Sequence, residues 1–430
     1  MEKHLIVMSV DAMVCEDLAL LETLPHFKAL MKDASVVRRM RTIYPSLTHP
    51  VHASLMTGCP AGLTGVPNNV LFAPGDPDPR WYNRLDEVRC DTLFHAAKRA
   101  GLATASCRWP MTAGGFDAID WLVPEVMDRD VAEAESLESV YRSMCTAELF
   151  EPVIRPRLSM LAGTERHPAY EDFSMACAAD IIRRHRPNLL LTHPGMVDHC
   201  RHRTGLFTPQ VDEALRMTDE WLGMLMKAAE DAGIAARTSF AIVSDHGQME
   251  RVRTAAPNVL LAERGLIRLD GAGRVTDWRA WAVESGLSCQ IHVRDAALEP
   301  ELHRWLLGLC EGGLHGFGEV LTRAECEARY GLSGPFSFVL EGDGCTEFSN
   351  DWQGPYMRMD DNAGCGAHRA SHGHMPERGP QPPMIVSGPA FRAGLTLENG
   401  SLLDEAPTFA AALGLSLPDA AGRPIAELLA

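Results

Sequence analysis

The sequence predicts an α/β protein with a doubly wound, mostly parallel sheet and an inserted α+β cap. The first observation is a set of short apolar runs that end abruptly in polar or small residues, as buried parallel strands do. These runs are residues 5–10, 189–192, 240–244 and 384–387. The second observation is helical spacing in the intervening chain, at residues 93–100, 172–184 and 212–232. Strands that alternate with helices favour a doubly wound sheet, whose ligands gather beyond the carboxyl ends of the strands.

Residues 251–362 depart from this pattern. Their glycine content, charge and weaker strand signal indicate an inserted segment rather than more of the core. We therefore predict a catalytic core of residues 1–250 and 363–430, with an inserted cap of residues 251–362. A chain of 430 residues is long enough for that arrangement.

Charge and composition restrict the classes of function. The net charge of -17 argues against a nucleic-acid-binding surface, which needs a basic patch. An anionic substrate would then be attracted locally, and bound cations are the obvious device. Twelve cysteines without regular spacing favour reduced thiols in a cytoplasmic protein, and no apolar run is long enough for a membrane helix. The oligomeric state is left open.

Carboxylates and imidazoles follow the predicted strands. They are Asp11, Asp198, His202, Asp245 and His246, joined by His372 from the C-terminal part. Each alone has an ordinary interpretation, a helix cap for Asp11 and a solvated turn for Asp198 and His202. Brought together at one edge of a parallel sheet, they form the mixed nitrogen and oxygen ligand set that zinc accepts, with enough ligands for two ions.

A candidate nucleophile lies in the segment 44–58. Thr48 stands where a helix is expected to begin, and a hydroxyl there is helped by unpaired backbone amides. A metal on its oxygen would favour the alkoxide. The alternative is that Thr48 or Ser46 only caps the helix.

Together these motifs resemble the nucleotide pyrophosphatase/phosphodiesterase branch of the alkaline phosphatase superfamily. The family's metal-binding Asp after the first strand is matched by Asp11, and its Pro-x-x-Thr-x-Pro-x-His segment by residues 45–52. Its Asp-x-x-x-His, Ser-Asp-His-Gly and final His-Gly motifs are matched by residues 198–202, 244–247 and 372–373. The resemblance covers residues 4–250 and 363–430, and the shared order of five motifs makes it specific.

The resemblance implies a site with two divalent metal ions. One ion would be held by Asp198, His202 and His372. The other would be held by Asp11, Asp245 and His246, with Thr48 as nucleophile and ligand. Zinc is expected, although manganese or iron suits similar ligands. Hydrolysis of a small phosphorus-containing substrate would then pass through a phospho-threonine.

Asn69 is similar to the family's phosphate-contacting asparagine, with an ordinary turn as the alternative. An amide donor suits a singly charged diester or pyrophosphate. A hydrolase of the phosphonoacetate type is the second hypothesis. A non-catalytic binding protein on the same fold is the third, although all the expected ligand positions are filled. No sulfatase motif is present.

Several positions depart from the family pattern. Leu47 and His49 replace a lysine and an aromatic residue beside the nucleophile, which indicates an unusual substrate pocket. Arg201 replaces a glycine and is expected to add positive charge near the site. Arg108 has two interpretations, a clamp for the substrate or, as favoured here, an exposed side chain that packs on Trp109. Four further histidines have two interpretations, a substitute ligand or a solvated or supporting position next to one: His193, His199, His368 and His374.

Overall fold

The computed structural model describes residues 3–162, 166–359 and 368–430. The strands in the first half of the chain are β1 (His4–Ser9), β2 (Ala34–Arg41), β3 (Thr104–Cys107), β4 (Trp121–Val123), β5 (Leu189–Thr192) and β6 (Thr238–Val243). Those that follow are β7 (Met249–Glu250), β8 (Arg253–Ala255), β9 (Ile267–Leu269), β10 (Val275–Trp278), β11 (Ala280–Ser285), β12 (Ser288–Val293), β13 (Phe317–Thr322), β14 (Phe338–Gly342), β15 (Thr346–Phe348), β16 (Met357–Met359), β17 (Ala370–Ser371), β18 (Met384–Ser387) and β19 (Thr396–Ser401).

The helices lie mostly between the core strands. Those up to β5 are α1 (Leu18–Leu21), α2 (Pro25–Met31), α3 (Thr48–Thr57), α4 (Ala61–Thr64), α5 (Leu93–Arg99), α6 (Asp128–Glu133), α7 (Leu137–Met144), α8 (Ala147–Leu149) and α9 (Ala169–His185). Those after β5 are α10 (Met196–Thr204), α11 (Pro209–Asp231), α12 (Pro257–Glu263), α13 (Glu299–Glu311), α14 (Arg323–Tyr330) and α15 (Glu405–Ala412). None of these helices is long and apolar enough to cross a membrane.

The central sheet has eight strands in the order β19-β2-β18-β6-β1-β5-β3-β4. Strand β1 is parallel to β5 and β6, and β3 is parallel to β4 and β5. Strand β18 is antiparallel to both β6 and β2, while β19 is parallel to β2. The sheet is therefore mostly parallel, and β18 alone among these eight runs the other way.

The two faces of this sheet carry separate hydrophobic clusters. Ile6 and Met8 pack on one face with α9 and α11, whereas Leu5 and Val7 pack on the other with α3 and α5. Successive side chains of a strand point to opposite faces, so the strand is covered on both sides. Each such buried side chain stabilises the fold by roughly 1.5–3 kcal/mol. The predicted doubly wound, mostly parallel α/β architecture is confirmed.

Strands within the predicted insertion form a separate antiparallel sheet, in the order β11-β12-β14-β13, with α13 and α14 packed against it. The predicted boundary between residues 362 and 363 lies outside the described residues. Strand β17 pairs with β7, so the chain returns from the insertion beside the point where it left the core. This pairing places His372 next to the segment that follows β6.

Two details of the strand prediction differ from the structure. The runs predicted at residues 5–10 and 240–244 form strands at His4–Ser9 and Thr238–Val243. The run at residues 384–387 forms β18 as expected, but it is antiparallel to its neighbours rather than parallel. A strand covered on both faces has the same apolar pattern in either direction, so its direction depends on the connections of the chain.

Candidate active site

The candidate site lies at the carboxyl ends of β1, β5 and β6. Asp11 follows β1, Asp245 follows β6, and Asp198 stands in the first turn of α10, which follows β5. Asp11 and Asp198 line a cavity of about 710 Å³, whereas Asp245 and His246 are buried behind its wall. The sequence-predicted residues that line this cavity are Asp11, Thr48, Asn69, Asp198, His202 and His372. Such a volume accommodates a small molecule rather than an inorganic ion alone.

The first group of possible ligands is Asp198, His202 and His372. Residues four apart in a helix share a face, so α10 presents Asp198 and His202 together. His202 Nε2 lies 3.3 Å from Asp198 Oδ2, and His372 Nε2 lies 3.9 Å from Asp198 Oδ1. The opposite nitrogens, Nδ1, bond the carbonyls of Ala370 at 2.8 Å and Ser46 at 3.0 Å. These bonds turn both Nε2 atoms towards Asp198, as in metal sites whose second nitrogen is held by a carbonyl.

The second group surrounds Asp11. Its ligand atoms and those of Asp198 and His246 all lie within 4.8 Å of one another, so Asp198 belongs to both groups. His246 Nε2 lies 3.7 Å from Asp11 Oδ1 and 3.2 Å from Asp245 Oδ2. Asp245 Oδ1 accepts hydrogen bonds from the backbone N–H groups of Ala12 at 3.1 Å and His246 at 3.0 Å. Its other oxygen, Oδ2, therefore remains for the cluster.

This donor set fits divalent cations. Asp11 Oδ1 and Asp245 Oδ2 are buried and accept no hydrogen bond from the described residues. Burial and the neighbouring carboxylates of Asp198 and Asp245 raise the pKa of Asp11 well above its ordinary value. Burial raises the pKa of Asp245 to about 6. Carboxylates held together out of water are unfavourable when ionised unless positive charge joins them, and carboxylate and imidazole ligands accept zinc-type ions.

Two histidines of the cluster, His246 and His372, are suited to bind as neutral ligands. Burial lowers the pKa of His246 to about 3, and burial with the neighbouring His246 lowers that of His372 well below its ordinary value. Their rings are stacked, with centroids 3.9 Å apart. Burial alone would raise the pKa of Asp198, but His202 holds it well below its usual range. His246 and His372 are thus neutral, as metal binding requires. Burial alone would lower the pKa of His202, but Asp198 raises it, so His202 would release a proton when a metal ion binds.

Thr48 stands beside the second group. Its Oγ1 lies 3.3 Å from His246 Nε2. The N-cap position of α3 is Leu47, and its side chain makes no capping bond, so Thr48 is the first helical residue. The carbonyl of Thr48 is bonded by His52 Nδ1 at 2.7 Å, which fixes the turn. The helix-cap interpretation is therefore wrong for Thr48. It is also wrong for Ser46, whose hydroxyl bonds the carbonyl of His374 at 2.9 Å.

The caps and turns proposed for the aspartates are likewise absent. Asp11 precedes no helix directly, because the short helical segment after it begins at Cys15 with Val14 as its N-cap. Asp198 and His202 lie within α10 rather than in a turn. The alternative structural interpretations of these residues are therefore wrong.

Asn69 connects the start of α3 to the cavity wall. Its Oδ1 accepts a hydrogen bond from the backbone N–H of His49 at 3.0 Å. With the carbonyl oxygen engaged in this way, the Nδ2 donor is left to face the cavity that Asn69 lines. The residue thus supports the helix that carries Thr48 and presents an amide near it.

The further histidines take different positions. His193 Nε2 lies 3.3 Å from Asp11 Oδ2, while its Nδ1 bonds the carbonyl of Ser9 at 3.0 Å. The ring of His368 is 5.2 Å from that of His202. His199 lines the cavity and stacks on His167, with centroids 4.5 Å apart. His374 is buried, and its Nδ1 bonds the carbonyl of Met375.

Both arginine expectations are wrong. Arg201 is buried and directed away from the site, where it bonds both carboxylate oxygens of Asp17 and the carbonyl of Ala12. It lies one residue before His202, about 100° around the helix, and so faces the other side. Arg108 is not exposed against Trp109. Its side chain is 14% exposed, and it bonds Glu171 Oε1 at 3.1 Å.

Two acidic residues at the cavity are not predicted from the sequence, Glu125 in its wall and Glu171 behind it. Glu171 is fully buried on α9 among apolar residues, which a single charge on an apolar helix face could have signalled. Glu125 follows β4 at the same sheet edge, and its Oε2 lies 3.1 Å from His49 Nε2. Nothing local in the sequence marks Glu125 as a partner of His49.

Comparisons with known proteins agree with the motif order. A family model described as type I phosphodiesterase / nucleotide pyrophosphatase matches residues 5–333. The ectonucleotide pyrophosphatase/phosphodiesterase family member 3 of Rattus norvegicus is 22% identical over 254 residues, 56% of this chain and 24% of that protein. A venom phosphodiesterase of Naja atra is 22% identical over 258 residues, 57% of this chain and 26% of that protein. The match spans about a quarter of the length of these relatives.

A solved structure gives a likeness over the whole chain. Murine ectonucleotide pyrophosphatase / phosphodiesterase 5 superposes with a TM-score of 0.69 at 20% identity, with 100% of both chains covered. Identity at this level establishes the fold. The core architecture and the family resemblance predicted from the motifs are confirmed.

Proposed function

This chain belongs to the type I phosphodiesterase / nucleotide pyrophosphatase family, and from that membership we propose that it hydrolyses phosphodiester or pyrophosphate bonds of a small phosphorus-containing substrate. The proposal includes two divalent metal ions, zinc by preference, and a covalent phospho-threonine at Thr48. The murine relative was also solved as an inactive form in complex with AMP, which supports a phosphorus-containing ligand.

The observation that carries the proposal is the contact between Thr48 and the ligand cluster. A hydroxyl 3.3 Å from His246 Nε2 lies within reach of the Asp11, Asp245 and His246 group. It also stands at the N-terminus of α3, where the helix dipole favours negative charge. A threonine with a purely structural role would be expected to cap the helix or pack in the core, whereas the hydroxyl of Thr48 contacts a buried set of metal-type ligands.

The metal ligands follow from the two groups. Asp198, His202 and His372 would hold one ion, and Asp11, Asp245 and His246 the other, which Asp198 also adjoins. When bound, such ions supply positive charge that favours an ionised hydroxyl and offsets the charge on phosphoryl oxygens. The chain's own contribution is to hold these side chains by backbone bonds, as His202 and His372 are held through Nδ1.

The reaction then has two displacements at phosphorus. Thr48 Oγ1 loses its proton and attacks, a bond from Oγ1 to phosphorus forms, and the bond to the leaving oxygen breaks. Water then attacks the phosphorus of the phospho-threonine, and the bond between phosphorus and Oγ1 breaks. The threonine oxygen takes up a proton and becomes a hydroxyl again. Asn69 is placed to donate from Nδ2 to a phosphoryl oxygen, since its carbonyl is engaged by His49.

The test combines metal content with turnover. We would measure zinc by elemental analysis, and hydrolysis of bis-p-nitrophenyl phosphate, p-nitrophenyl phosphate and phosphonoacetate. Thr48→Ala is the diagnostic variant, and Thr276→Ala, an exposed threonine of the insertion, is the control. About two ions per chain with diester cleavage that depends on Thr48 would support the proposal.

Other outcomes select the alternatives. Turnover of phosphonoacetate in preference to the diester would favour the phosphonate hydrolase. Bound metal without turnover of any of the three would favour a binding protein. Diester cleavage that is indifferent to loss of Thr48 would contradict the assignment of the nucleophile.

A further inference from the structure

Arg108 is a cation built into the wall of the active-site cavity. It follows β3 at the carboxyl end of the sheet and lines the same cavity as Thr48 and Asp11. Its backbone φ is 55°, in the left-handed region that a residue with a Cβ occupies at a cost of about 1 kcal/mol or more. Such a conformation persists only where the surrounding structure holds it.

The surrounding structure does hold it, from two sides. The guanidinium donates from one terminal nitrogen to Glu171 Oε1 at 3.1 Å and lies over the ring of Tyr170, 4.9 Å from its centroid. Glu171 is fully buried, and the same oxygen accepts bonds from His167 Nδ1 at 2.8 Å and the backbone N–H of Gly195 at 3.1 Å. Arg108 is therefore anchored in one orientation before any ligand arrives.

This anchoring leaves most of the donor capacity of Arg108 unused. A guanidinium carries five N–H donors, and within the described ranges its side chain bonds only Glu171. Arg108 lines the cavity and its side chain is 14% exposed, so the remaining donors of this always charged group are open to a ligand there. Carboxylate and phosphoryl oxygens match a planar guanidinium best, because they accept two parallel bonds in its plane.

The nearby charges do not occupy these donors. Glu125, the other acid whose charge acts on Arg108, is engaged by His49 Nε2 at 3.1 Å. Arg84, elsewhere on the cavity wall, is already paired, because it bonds both oxygens of Asp86 at 3.0 and 2.9 Å. Arg108 thus differs from Arg84 in having unused donors inside the cavity.

Arg108 also lies close to the reacting centre. A Cβ built on Gly195 would be 3.5 Å from Glu171 Oε1 and 3.9 Å from Asp11 Oδ2. The carboxylate that anchors Arg108 and a proposed metal ligand therefore flank the same glycine. Arg108, which bonds that carboxylate, thus lies on the same side of the cavity as Asp11.

We propose that Arg108 binds a second anionic group of the substrate, a carboxylate or a further phosphoryl group next to the phosphorus that is attacked. This inference rests on the proposed function and narrows its substrate class. Diesters whose two substituents are both neutral would be poorer substrates than molecules with two anionic groups. Arg108 would then determine substrate specificity, because only substrates that carry the second anionic group form an ion pair with it.

Binding measurements test this without relying on turnover. Methylphosphonate, phosphonoacetate and inorganic pyrophosphate would be titrated into the zinc-loaded protein by calorimetry, with metal content checked afterwards. The wild type is expected to prefer at least one of the last two over methylphosphonate. Arg108→Gln should reduce that preference by about 10- to 100-fold, as expected for hydrogen bonds to a charged group. Arg84→Gln, the paired arginine, should leave it unchanged.

The two arms identify the source of the anion. A preference for phosphonoacetate that depends on Arg108 would assign a carboxylate, and one for pyrophosphate would assign a phosphoryl group. A wild type without either preference, or an Arg108→Gln protein with the wild-type preference, would overturn the inference. Arg108→Lys keeps the charge opposite Glu171 but lacks the fork, so an intermediate loss is expected if the variant without charge fails to fold.

The same data separate this inference from the proposed function. Hydrolysis that depends on Thr48 together with binding indifferent to Arg108 overturns the role of Arg108 alone. Anion binding that depends on Arg108 in a protein that hydrolyses none of the phosphorus substrates supports the anion site and overturns the proposed hydrolase.

Discussion

The carboxylate of Glu171 accepts a hydrogen bond from the backbone N–H of Gly195 at 3.1 Å. Gly195 is the N-cap residue of α10, the helix that carries Asp198 and His202. The bond therefore ties α9 to the start of a helix that supplies two proposed metal ligands. Burial alone would raise the pKa of Glu171, but His167 and Arg108 lower it to about 2, so the carboxylate is ionised.

Removing that charge should weaken metal binding. Glu171→Gln keeps the shape of the side chain but loses the negative charge that pairs with His167 and Arg108. The hydrogen bond to the N–H of Gly195 is then weaker, so the start of α10 is held less firmly. We expect zinc affinity to fall by roughly 10- to 100-fold, as for other residues that orient metal ligands. Competition with a chromophoric chelator measures the affinity. Glu213→Gln, exposed on α11, is the control, and equal affinities in the two variants would contradict the prediction.

Metal stoichiometry should distinguish Asp198 from His202. Asp198 belongs to both ligand groups, whereas His202 belongs to one. Asp198→Asn should therefore reduce binding at both sites, while His202→Ala should leave about one ion per chain. Elemental analysis after dialysis against a weak chelator gives the numbers. His199→Gln, which changes a cavity histidine outside both groups, should keep the wild-type content. Identical losses for Asp198→Asn and His202→Ala would refute the shared role of Asp198.

Asn69 can be tested with two substitutions that separate its two bonds. Asn69→Asp retains an oxygen for the N–H of His49 but replaces the Nδ2 donor with negative charge, whereas Asn69→Ala removes both. Each should lower kcat/KM for a diester by about 10²- to 10³-fold through loss of the donor. Only Asn69→Ala should also lose about 1 kcal/mol of stability. Unfolding in urea and steady-state kinetics provide the two measurements, and an Asn69→Asp protein with full activity would exclude the donor role.

Glu341 should make stability depend on pH. Burial raises its pKa to about 7, with Tyr44 and the N–H of Met375 bonded to its carboxyl oxygens at 2.9 and 3.0 Å. A carboxyl whose folded pKa is raised destabilises the folded state as pH rises from about 4.5 to 7, because ionisation is then easier in the unfolded chain. The penalty reaches about 3 kcal/mol above pH 7.

Glu341→Gln removes that ionisation and retains an acceptor and a donor. Its free energy of unfolding, relative to wild type, should increase by up to about 3 kcal/mol between pH 5 and 8. Urea denaturation at several pH values measures this difference. Glu398→Gln, 64% exposed on β19 of the central sheet, serves as the control. A constant difference between wild type and Glu341→Gln across this range would show that Glu341 does not titrate there.

The local signals in the chain predicted the strand positions well. The predicted runs at residues 189–192 and 384–387 match the observed strands, and those at residues 5–10 and 240–244 differ from them by one or two residues at their ends. Apolar periodicity reports burial, which both faces of this sheet share, so it located β18 but not its direction. The division into a core of residues 1–250 and 363–430 and a cap of residues 251–362 stays a prediction.

The sequence by itself determined the family, the order of the motifs and the ligand types, because each motif is a short local pattern attached to a strand end. Only the tertiary structure decided which neighbours each side chain meets. Arg108 pairs with the carboxylate of Glu171, which is 63 residues away in the sequence. Glu171 in turn accepts a bond from Gly195, a further 24 residues along the chain. Arg201 faces Asp17 rather than the site because of its rotation on α10. Such pairings arise from packing between distant segments, which local patterns do not encode.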